Sequence, residues 1–201
     1  MINIVVFASG SGTNFQAIID AVHNGQINGL IQGLITNKKG IQAIERAQKN
    51  NIAYRCLSPT DFSSDQEYID TLLNQLQDWN TDLIALAGYM IKIPPQIIEA
   101  YQNRIINIHP SLLPKYGGKG FYGMNVHRAV IEDEEKKSGC TVHIVTEEYD
   151  KGPILGQRKV PVKQSDTPET LAKRVLKEEH ELFPKVISDL ANQLNNKSNP
   201  Q

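Results

Sequence analysis

The segment Asn107-Ile108-His109-Pro110-Ser111 places three side chains that could perform acyl chemistry within five positions. It follows the apolar pair Ile105-Ile106, which is typical of a short buried strand, so His109 is expected where that strand stops. Pro110 fixes its own φ and lacks an N–H, so the chain should turn at once. In open α/β sheets, ligands bind outside the carboxyl ends of the strands. An amide, an imidazole and a hydroxyl are therefore expected at the edge of one cleft.

Asn107 and His109 are two residues apart, so along an extended strand their side chains point to the same face. An amide that donates to a carbonyl oxygen, beside an imidazole that transfers protons, suits acyl transfer. The alternative is an ordinary hydrogen-bonded histidine at a strand end. Asp150 is a third candidate: it is either a turn residue of Asp-x-Gly-Pro or a carboxylate that raises the pKa of His109 and favours its protonated form.

The first strand leads into a glycine-rich loop, Ser9-Gly10-Ser11-Gly12-Thr13-Asn14, followed by a helical pattern. Glycines let the backbone approach a ligand, and the free N–H groups of a helix N-terminus favour phosphate. The loop lacks the Lys-Ser/Thr of a Walker motif, and Phe15 occupies the third glycine position of a dinucleotide fingerprint. The second strand ends in residues 36–39 without an acid for a ribose. A phosphate monoester therefore fits better than NAD, unless the loop is only a tight turn.

Composition is that of a globular protein with one substantial core. Of its 201 residues, 40% are hydrophobic and 21% are charged, and the formal net charge is -1. That charge gives no basic field for nucleic acid, so anion binding must be local. Cys56 and Cys140 lie far apart without zinc-ligand spacing, and we expect buried, reduced thiols. The apolar start at 1–7 lacks a basic segment and a cleavage site, and no run approaches the roughly 20 residues of a membrane span. We therefore expect a cytoplasmic protein without membrane or nucleic-acid partners, either a monomer or a weak homodimer.

Apolar runs alternate with amphipathic segments up to residue 110 and then change rhythm. The alternation predicts an α/β fold with a mostly parallel, Rossmann-like twisted sheet of about seven strands and helices on both faces. The last two strands are joined by a turn too short for a parallel crossover, so antiparallel strands are expected near the C-terminal part. The predicted strands are Ile2–Ala8, Leu30–Ile35, Ile52–Cys56, Leu83–Ala87, Ile105–Ile108, Thr141–Val145 and Ile154–Val162.

Several helix boundaries also follow from local signals. Ser64 with Glu67 three positions later forms a capping-box pattern. Residues 126–136 are expected to form a helix, and a final helix should begin at Thr167-Pro168-Glu169 and be interrupted at Pro184. One domain is expected over 1–194, followed by a polar, disordered tail over 195–201. His143 lies inside a predicted strand, where we expect it to serve the core or to support the site from behind.

In these motifs the chain resembles the phosphoribosylglycinamide formyltransferases, the folate-dependent glycinamide ribonucleotide transformylases of purine synthesis. The resemblance runs in order over nearly the whole chain. The matching pieces are Ser9–Asn14, Leu86-Ala87-Gly88-Tyr89-Met90, Asn107–Tyr116, Gly139-Cys140-Thr141-Val142-His143 and Asp150-Lys151-Gly152-Pro153.

The resemblance implies a seven-stranded α/β fold that transfers the formyl group of 10-formyltetrahydrofolate to the amine of phosphoribosyl glycinamide, without a metal. It assigns catalysis to Asn107, His109 and Asp150. The implied contacts of the substrate phosphate and ribose are Gly12, Thr13, Asn14 and Glu179. The implied folate contacts are Met90, Ile91, Lys92, Ile93, Asn107, Thr146, Glu147, Glu148, Tyr149 and Asp150.

This sequence departs from the family pattern at ligand contacts. Ile91 follows the methionine where an arginine is frequent, and Lys92 is only a partial substitute. Asp65 stands at a basic folate-contacting position, and Leu176 replaces a substrate-contacting glutamine. The loop over 117–125 is longer than in many members and is expected to act as a flap or to lie at the pocket rim.

Three other functions share part of this pattern. A formyltetrahydrofolate deformylase uses water as the acceptor and normally carries an additional N-terminal domain. A methionyl-tRNA formyltransferase adds a C-terminal nucleic-acid-binding domain and favours a basic surface. A phosphosugar-binding module without turnover would not need the titratable pair His109 and Asp150.

Overall fold

In the described part of the chain, six α-helices surround a seven-stranded sheet. The computed structural model describes residues 1–198. A short 3-10 turn at Pro59–Asp61 precedes the third helix. The elements are β1 (Ile2–Phe7), α1 (Thr13–His23), β2 (Gly29–Thr36), α2 (Gln42–Lys49), β3 (Tyr54–Cys56), α3 (Asp65–Asp78), β4 (Leu83–Leu86), α4 (Pro95–Ala100), β5 (Ile105–His109), α5 (Met124–Glu132), β6 (Lys137–Ile144), β7 (Ile154–Pro161) and α6 (Pro168–Ser198).

The strand order is β3-β2-β1-β4-β5-β6-β7. Strands β1 to β5 run parallel to one another, whereas β6 runs antiparallel to both β5 and β7. The prediction of a mostly parallel sheet with antiparallel strands near the C-terminal part is confirmed. The order reverses direction beside β1, so the carboxyl ends of β1 and β4 meet at the switch point where such folds bind ligands.

Helices cover both faces of the sheet because β1 and its neighbours alternate between two buried layers. Ile4 and Val6 pack with α1, α2, α5 and α6, whereas Val5 and Phe7 pack with α3 and α4. All four side chains are fully buried. A strand buried on both faces needs a continuous apolar run, and this is the pattern in the sequence.

The start of α3 follows its predicted cap. The Ser64 hydroxyl accepts a hydrogen bond from the Glu67 N–H at 3.2 Å. The Glu67 carboxylate reaches back to the N–H and hydroxyl of Ser63 instead of the N–H of Ser64. The capping box therefore closes one residue earlier than the sequence pattern indicates.

The helix predicted over 126–136 ends early, at Glu132. Glu134 adopts a left-handed φ of 51°, which stops the helix. The chain then enters β6 at Lys137, not at the predicted Thr141, because residues 137–140 pair with β7 and bury Ser138 and Cys140. Pairing and burial therefore start this strand before its predicted position.

The final helix passes through Pro184 without interruption, contrary to the sequence expectation. Proline removes one intrahelical hydrogen bond, but Phe183, Val186 and Ile187 are buried against the sheet and hold the helix in place. The tail expected to be disordered overlaps this helix, since residues 195–198 continue α6 and 199–201 lie outside the described residues. Within residues 1–198, no helix has the length and apolarity to cross a membrane.

Candidate active site

A row of paired residues crosses the sheet at the carboxyl ends of its central strands. Phe7 pairs with Leu86, Leu86 with Asn107, and Asn107 with His143. Paired residues on neighbouring strands point to the same face. Ile106 and its alternate neighbours serve the opposite core layer, so Asn107 faces the side of the sheet that carries α3 and α4. The register alone therefore brings Asn107 and His143 together.

The three predicted catalytic residues lie in one cluster, in which two imidazoles approach one carboxylate oxygen. Asp150 Oδ1 lies 3.6 Å from His109 Nδ1 and 3.4 Å from His143 Nε2. Asn107 Nδ2 lies 3.1 Å from the same His143 nitrogen. His109 and His143 are buried, and the Asp150 side chain is 11% exposed. The structure thus places Asn107, His109 and Asp150 in one cluster and adds a second imidazole to it.

Backbone carbonyls determine where the protons of the two imidazoles lie. His109 Nε2 is 2.7 Å from Tyr116 O, and His143 Nδ1 is 2.8 Å from Ile144 O. A carbonyl oxygen only accepts, so each of these nitrogens carries a hydrogen. In the neutral rings, His109 Nδ1 and His143 Nε2 therefore present lone pairs. Asn107 Nδ2 lies against the His143 lone pair, so His109 Nδ1, beside Asp150, is the nitrogen left to accept a proton.

Burial decides the pKa of His109. Burial lowers the pKa of His109, whereas the Asp150 carboxylate and the bond to Tyr116 raise it, and the net pKa lies below 6.5. The expected upward effect of Asp150 is present, but desolvation outweighs it, so the sequence-based expectation of a protonated His109 is corrected to a neutral ring. Burial also raises the pKa of Asp150, but His143, His109 and the Gly118 N–H lower it by more, which keeps the carboxylate ionised.

A tight turn after β6 delivers Asp150 to the cluster. Asp150 has a left-handed φ of 56°, and its Oδ2 accepts a hydrogen bond from the Gly118 N–H at 2.8 Å. A Cβ at Gly152 would lie 1.8 Å from Ile144 O, so only glycine lets the chain return this closely. The Asp-x-Gly motif is therefore both a turn and a means of positioning a carboxylate. Asp150 is therefore a turn residue that also lies beside His109.

The loop after β1 has the geometry of an anion site. Gly12 precedes α1 with a φ of 68°, and a Cβ there would lie 2.8 Å from the Ala43 Cβ. Glycine is required on both counts. No side chain caps α1, so its first N–H groups, from Thr13 onward, are open to a ligand. Arg46 Nε donates to Ser11 O at 2.9 Å and places a cation beside the loop.

Asn14 and Glu179, distant in sequence, form a buried pair next to this loop. Asn14 Nδ2 donates to Glu179 Oε2 at 2.6 Å, and each residue is 8% exposed. Burial raises the pKa of Glu179 and the bond from Asn14 lowers it, with a net increase. Asn14 Oδ1 is buried and accepts no hydrogen bond within the described part of the chain. A ligand hydroxyl would satisfy this oxygen.

The two segments that the resemblance assigned to folate approach each other. Lys92 Nζ lies 5.4 Å from the centre of the Tyr149 ring, a cation–π contact between the segment after β4 and the turn after β6. Met90 N donates to Ser9 Oγ at 2.9 Å, which ties the first segment to the glycine-rich loop. Ile93 is buried in the core, so only its backbone can face a ligand. The remaining members, Ile91, Thr146, Glu147 and Glu148, lie in the same two segments.

Sequence reasoning missed several groups that hold the cluster. The sequence assigns His143 only a core or supporting role. Its strand pairing with Asn107 would have indicated a direct contact between the two side chains. The Tyr116 carbonyl and the Gly118 N–H carry no signal in their residue types, since backbone groups act here. The Ser111 hydroxyl donates to Lys115 O at 2.6 Å and stabilises the turn after β5.

Comparison with known proteins decides the family. The model of the formyl transferase family matches residues 2–187. The chain belongs to the formyl transferase family. Phosphoribosylglycinamide formyltransferase of Escherichia coli is 39% identical over 92% of this chain and 85% of its own length. The chloroplastic enzyme of that name from Arabidopsis thaliana is 44% identical over 92% of this chain, which spans 63% of the plant protein.

Solved structures of formyl transferases share the fold. Glycinamide ribonucleotide transformylase 1 from Symbiobacterium toebii superposes with a TM-score of 0.90 at 39% identity, covering 96% of this chain and 89% of its own. Enzymes of this family use formyl-folate as a co-substrate. Among residues 1–198, no group of three or more His, Cys, Asp or Glu side chains has an arrangement that could hold a metal ion.

Proposed function

We propose that this protein is a phosphoribosylglycinamide formyltransferase, which moves the formyl group of 10-formyltetrahydrofolate to the amine of 5-phosphoribosyl glycinamide. The observation that carries the proposal is the Asp150 carboxylate 3.6 Å from His109 Nδ1, in a cluster that also holds the Asn107 amide and His143. A binding module needs no such proton acceptor. The relatives named above support the choice of substrates.

Asn107 stabilises the charge that develops when the amine attacks the formyl carbon. One amide N–H donates to His143, so the second N–H remains for the formyl oxygen. As the C–N bond forms, that oxygen becomes an oxyanion. A preorganised donor in a buried site is worth roughly 3 kcal/mol at this step.

His109 and Asp150 move the proton. The attacking amine loses one proton, which His109 Nδ1 accepts while the Asp150 carboxylate stabilises the resulting imidazolium. The proton then passes to N10 of the folate as the bond between N10 and the formyl carbon breaks. One proton leaves the amine and one reaches the leaving nitrogen, so the transfer balances without a metal or a covalent enzyme intermediate.

The remaining assignments place the two substrates. Gly12, Thr13 and Asn14 hold the substrate phosphate at the α1 N-terminus, and Glu179 with Asn14 contacts its ribose. Folate lies between the segment over 90–93 and the turn over 146–150. The chain acts as one domain over 1–194 and as a monomer or weak homodimer. The free thiols of Cys56 and Cys140 favour a cytoplasmic location, where thiols are kept reduced.

A single assay tests the proposal. The protein is incubated with 10-formyltetrahydrofolate, and loss of the formyl group is followed with and without phosphoribosyl glycinamide. Loss only with the glycinamide, together with formylated product, is the expected result. Loss without an acceptor would instead identify a deformylase, and no loss in either case would identify a binding module.

A further inference from the structure

We propose that His143 is a positioning residue that fixes which atom of the Asn107 amide faces the formyl group; this rests on the proposed function. The two residues are direct partners across β5 and β6 and share one face of the sheet. His143 is 2% exposed, so its ring is held by protein contacts and not by water. Its Nε2 lies 3.1 Å from Asn107 Nδ2 and 3.4 Å from Asp150 Oδ1.

The tautomer of His143 determines the direction of its bond to Asn107. Nδ1 donates to Ile144 O at 2.8 Å, so in the neutral ring Nε2 has only a lone pair. Asn107 Nδ2, 3.1 Å away, satisfies that lone pair by donating. A reversed amide would set Oδ1 against the lone pair and place two acceptors in contact. His143 therefore selects the orientation in which Asn107 still has an N–H to donate.

Asp150 is the competing partner of the same nitrogen. Its Oδ1 is 3.4 Å from His143 Nε2, farther than Asn107 Nδ2. One ring nitrogen cannot accept from Asn107 and donate to Asp150 at once. With His143 occupied by Asn107, His109 Nδ1 is the open lone pair beside the carboxylate, so the same bond also directs the proton to His109.

Two substitutions of His143 separate its two nitrogens. His143→Gln places an amide oxygen near the position of Nε2, where it accepts from Asn107, whereas His143→Asn reaches only the position of Nδ1. We expect His143→Asn to lower kcat by about tenfold or more with little change in KM, since losing an oxyanion donor outright costs about 10²–10³ in kcat. His143→Gln should restore most of that loss. Equal losses in the two variants would overturn the proposal.

A double-mutant cycle identifies the partner through which His143 acts. If it acts through Asn107, His143→Asn should change kcat by less than about twofold in an Asn107→Ala background, because the coupled effect is already lost. In an Asp150→Asn background the tenfold loss should persist. Additive effects with Asn107→Ala, or loss of the effect only with Asp150→Asn, would exclude positioning of the amide.

A spectroscopic measurement keeps this test independent of activity. In protein with ¹⁵N-labelled histidine, the ring signals of His143, identified by their absence from His143→Gln, should show a hydrogen on Nδ1 at neutral pH. A hydrogen on Nε2 would refute the proposal even in an active enzyme. If the unaltered protein transfers no formyl group but His143 has the expected tautomer, the proposed function fails and the geometry stands.

Discussion

At the scale of single residues, Asp150 has the most demanding position, because one of its oxygens serves two imidazoles. We expect Asp150→Asn to lower kcat by about 10²–10⁴, the usual contribution of general acid–base groups, without unfolding the protein. Steady-state kinetics with circular dichroism would measure both effects. Asp78→Asn, the same change at an exposed position of α3, is the control and should leave kcat unaltered. A kcat near that of the unaltered protein in Asp150→Asn would remove the carboxylate from the mechanism.

The pH dependence of activity follows from the pKa of His109. Because His109 must be neutral to accept a proton, activity should fall as pH drops through its pKa, which burial holds below 6.5. The charge of Asp150 raises this pKa, so the acid limb of kcat/KM should move to still lower pH in Asp150→Asn. A pH–rate profile of both proteins would measure the shift. A shift toward higher pH in the variant would contradict the assignment.

Side-chain groups of the candidate site could be predicted from the sequence, whereas burial and backbone contacts could not. The sequence indicates Asn107, His109 and Asp150 as candidates because their side-chain types suit acyl chemistry. The spacing also places Asn107 and His109 on one face near the end of β5. The neutral state of His109 could not be predicted, because it depends on how deeply the finished fold buries the ring. The Gly118 N–H contact was also beyond prediction, since every residue except proline offers the same group.

At the scale of elements, the loop between β1 and α1 depends on one glycine. Gly12→Ala would force a side chain into a positive φ and within 2.8 Å of the Ala43 Cβ, so we expect the loop to shift and the KM for phosphoribosyl glycinamide to rise about tenfold or more. Gly10→Ala is the matched control, since a Cβ there meets no atom within 4 Å. Its effect on KM should be much smaller. Equal effects would show that the contact with α2 is unimportant.

Pro184 lowers the stability of α6 by removing one hydrogen bond from the helix. With no N–H at this position, the His180 carbonyl lacks its usual helical donor. Pro184→Ala should raise the free energy of unfolding by roughly 1–2 kcal/mol, the helical gain less the added freedom of the unfolded chain. Urea denaturation would measure this. Pro95→Ala, in the first turn of α4 where no bond is restored, should not stabilise the protein.

The uninterrupted helix also shows why local signals mispredicted α6. A proline interrupts an isolated helix, but the residues around Pro184 are apolar with helical spacing, and the sheet they cover is formed by strands far away in the chain. The same reasoning applies to residues 137–140, where pairing with β7 starts β6 before the predicted Thr141. The start of α3 was predicted well from Ser64 and Glu67, because the atoms that form this cap are neighbours in sequence.

At the scale of the whole molecule, buried imidazoles link stability to pH. His127 on α5 is 4% exposed, and burial lowers its pKa to about 4. Below pH 6.5 the unfolded chain binds a proton that the folded chain excludes, so stability should fall as pH drops, by at most about 2 kcal/mol at pH 5 from this residue. His127→Gln should flatten the slope of unfolding free energy against pH between 6.5 and 5. An unaltered slope in His127→Gln would contradict the prediction.

The pairing of Asn107 with His143 has a consequence for how this protein can change over evolution or by design. The two side chains meet through ladder register, and the connecting segment over 110–136 contributes no step to that register. Residues could be added to or removed from its solvent-facing part, beyond the groups that contact His109 and Asp150, without separating the pair. A single residue inserted within β6 would instead turn His143 to the opposite face. We therefore expect insertions to be tolerated in the segment before β6 and to abolish activity within β6. A scan of single-residue insertions, with activity measured for each, would map this boundary.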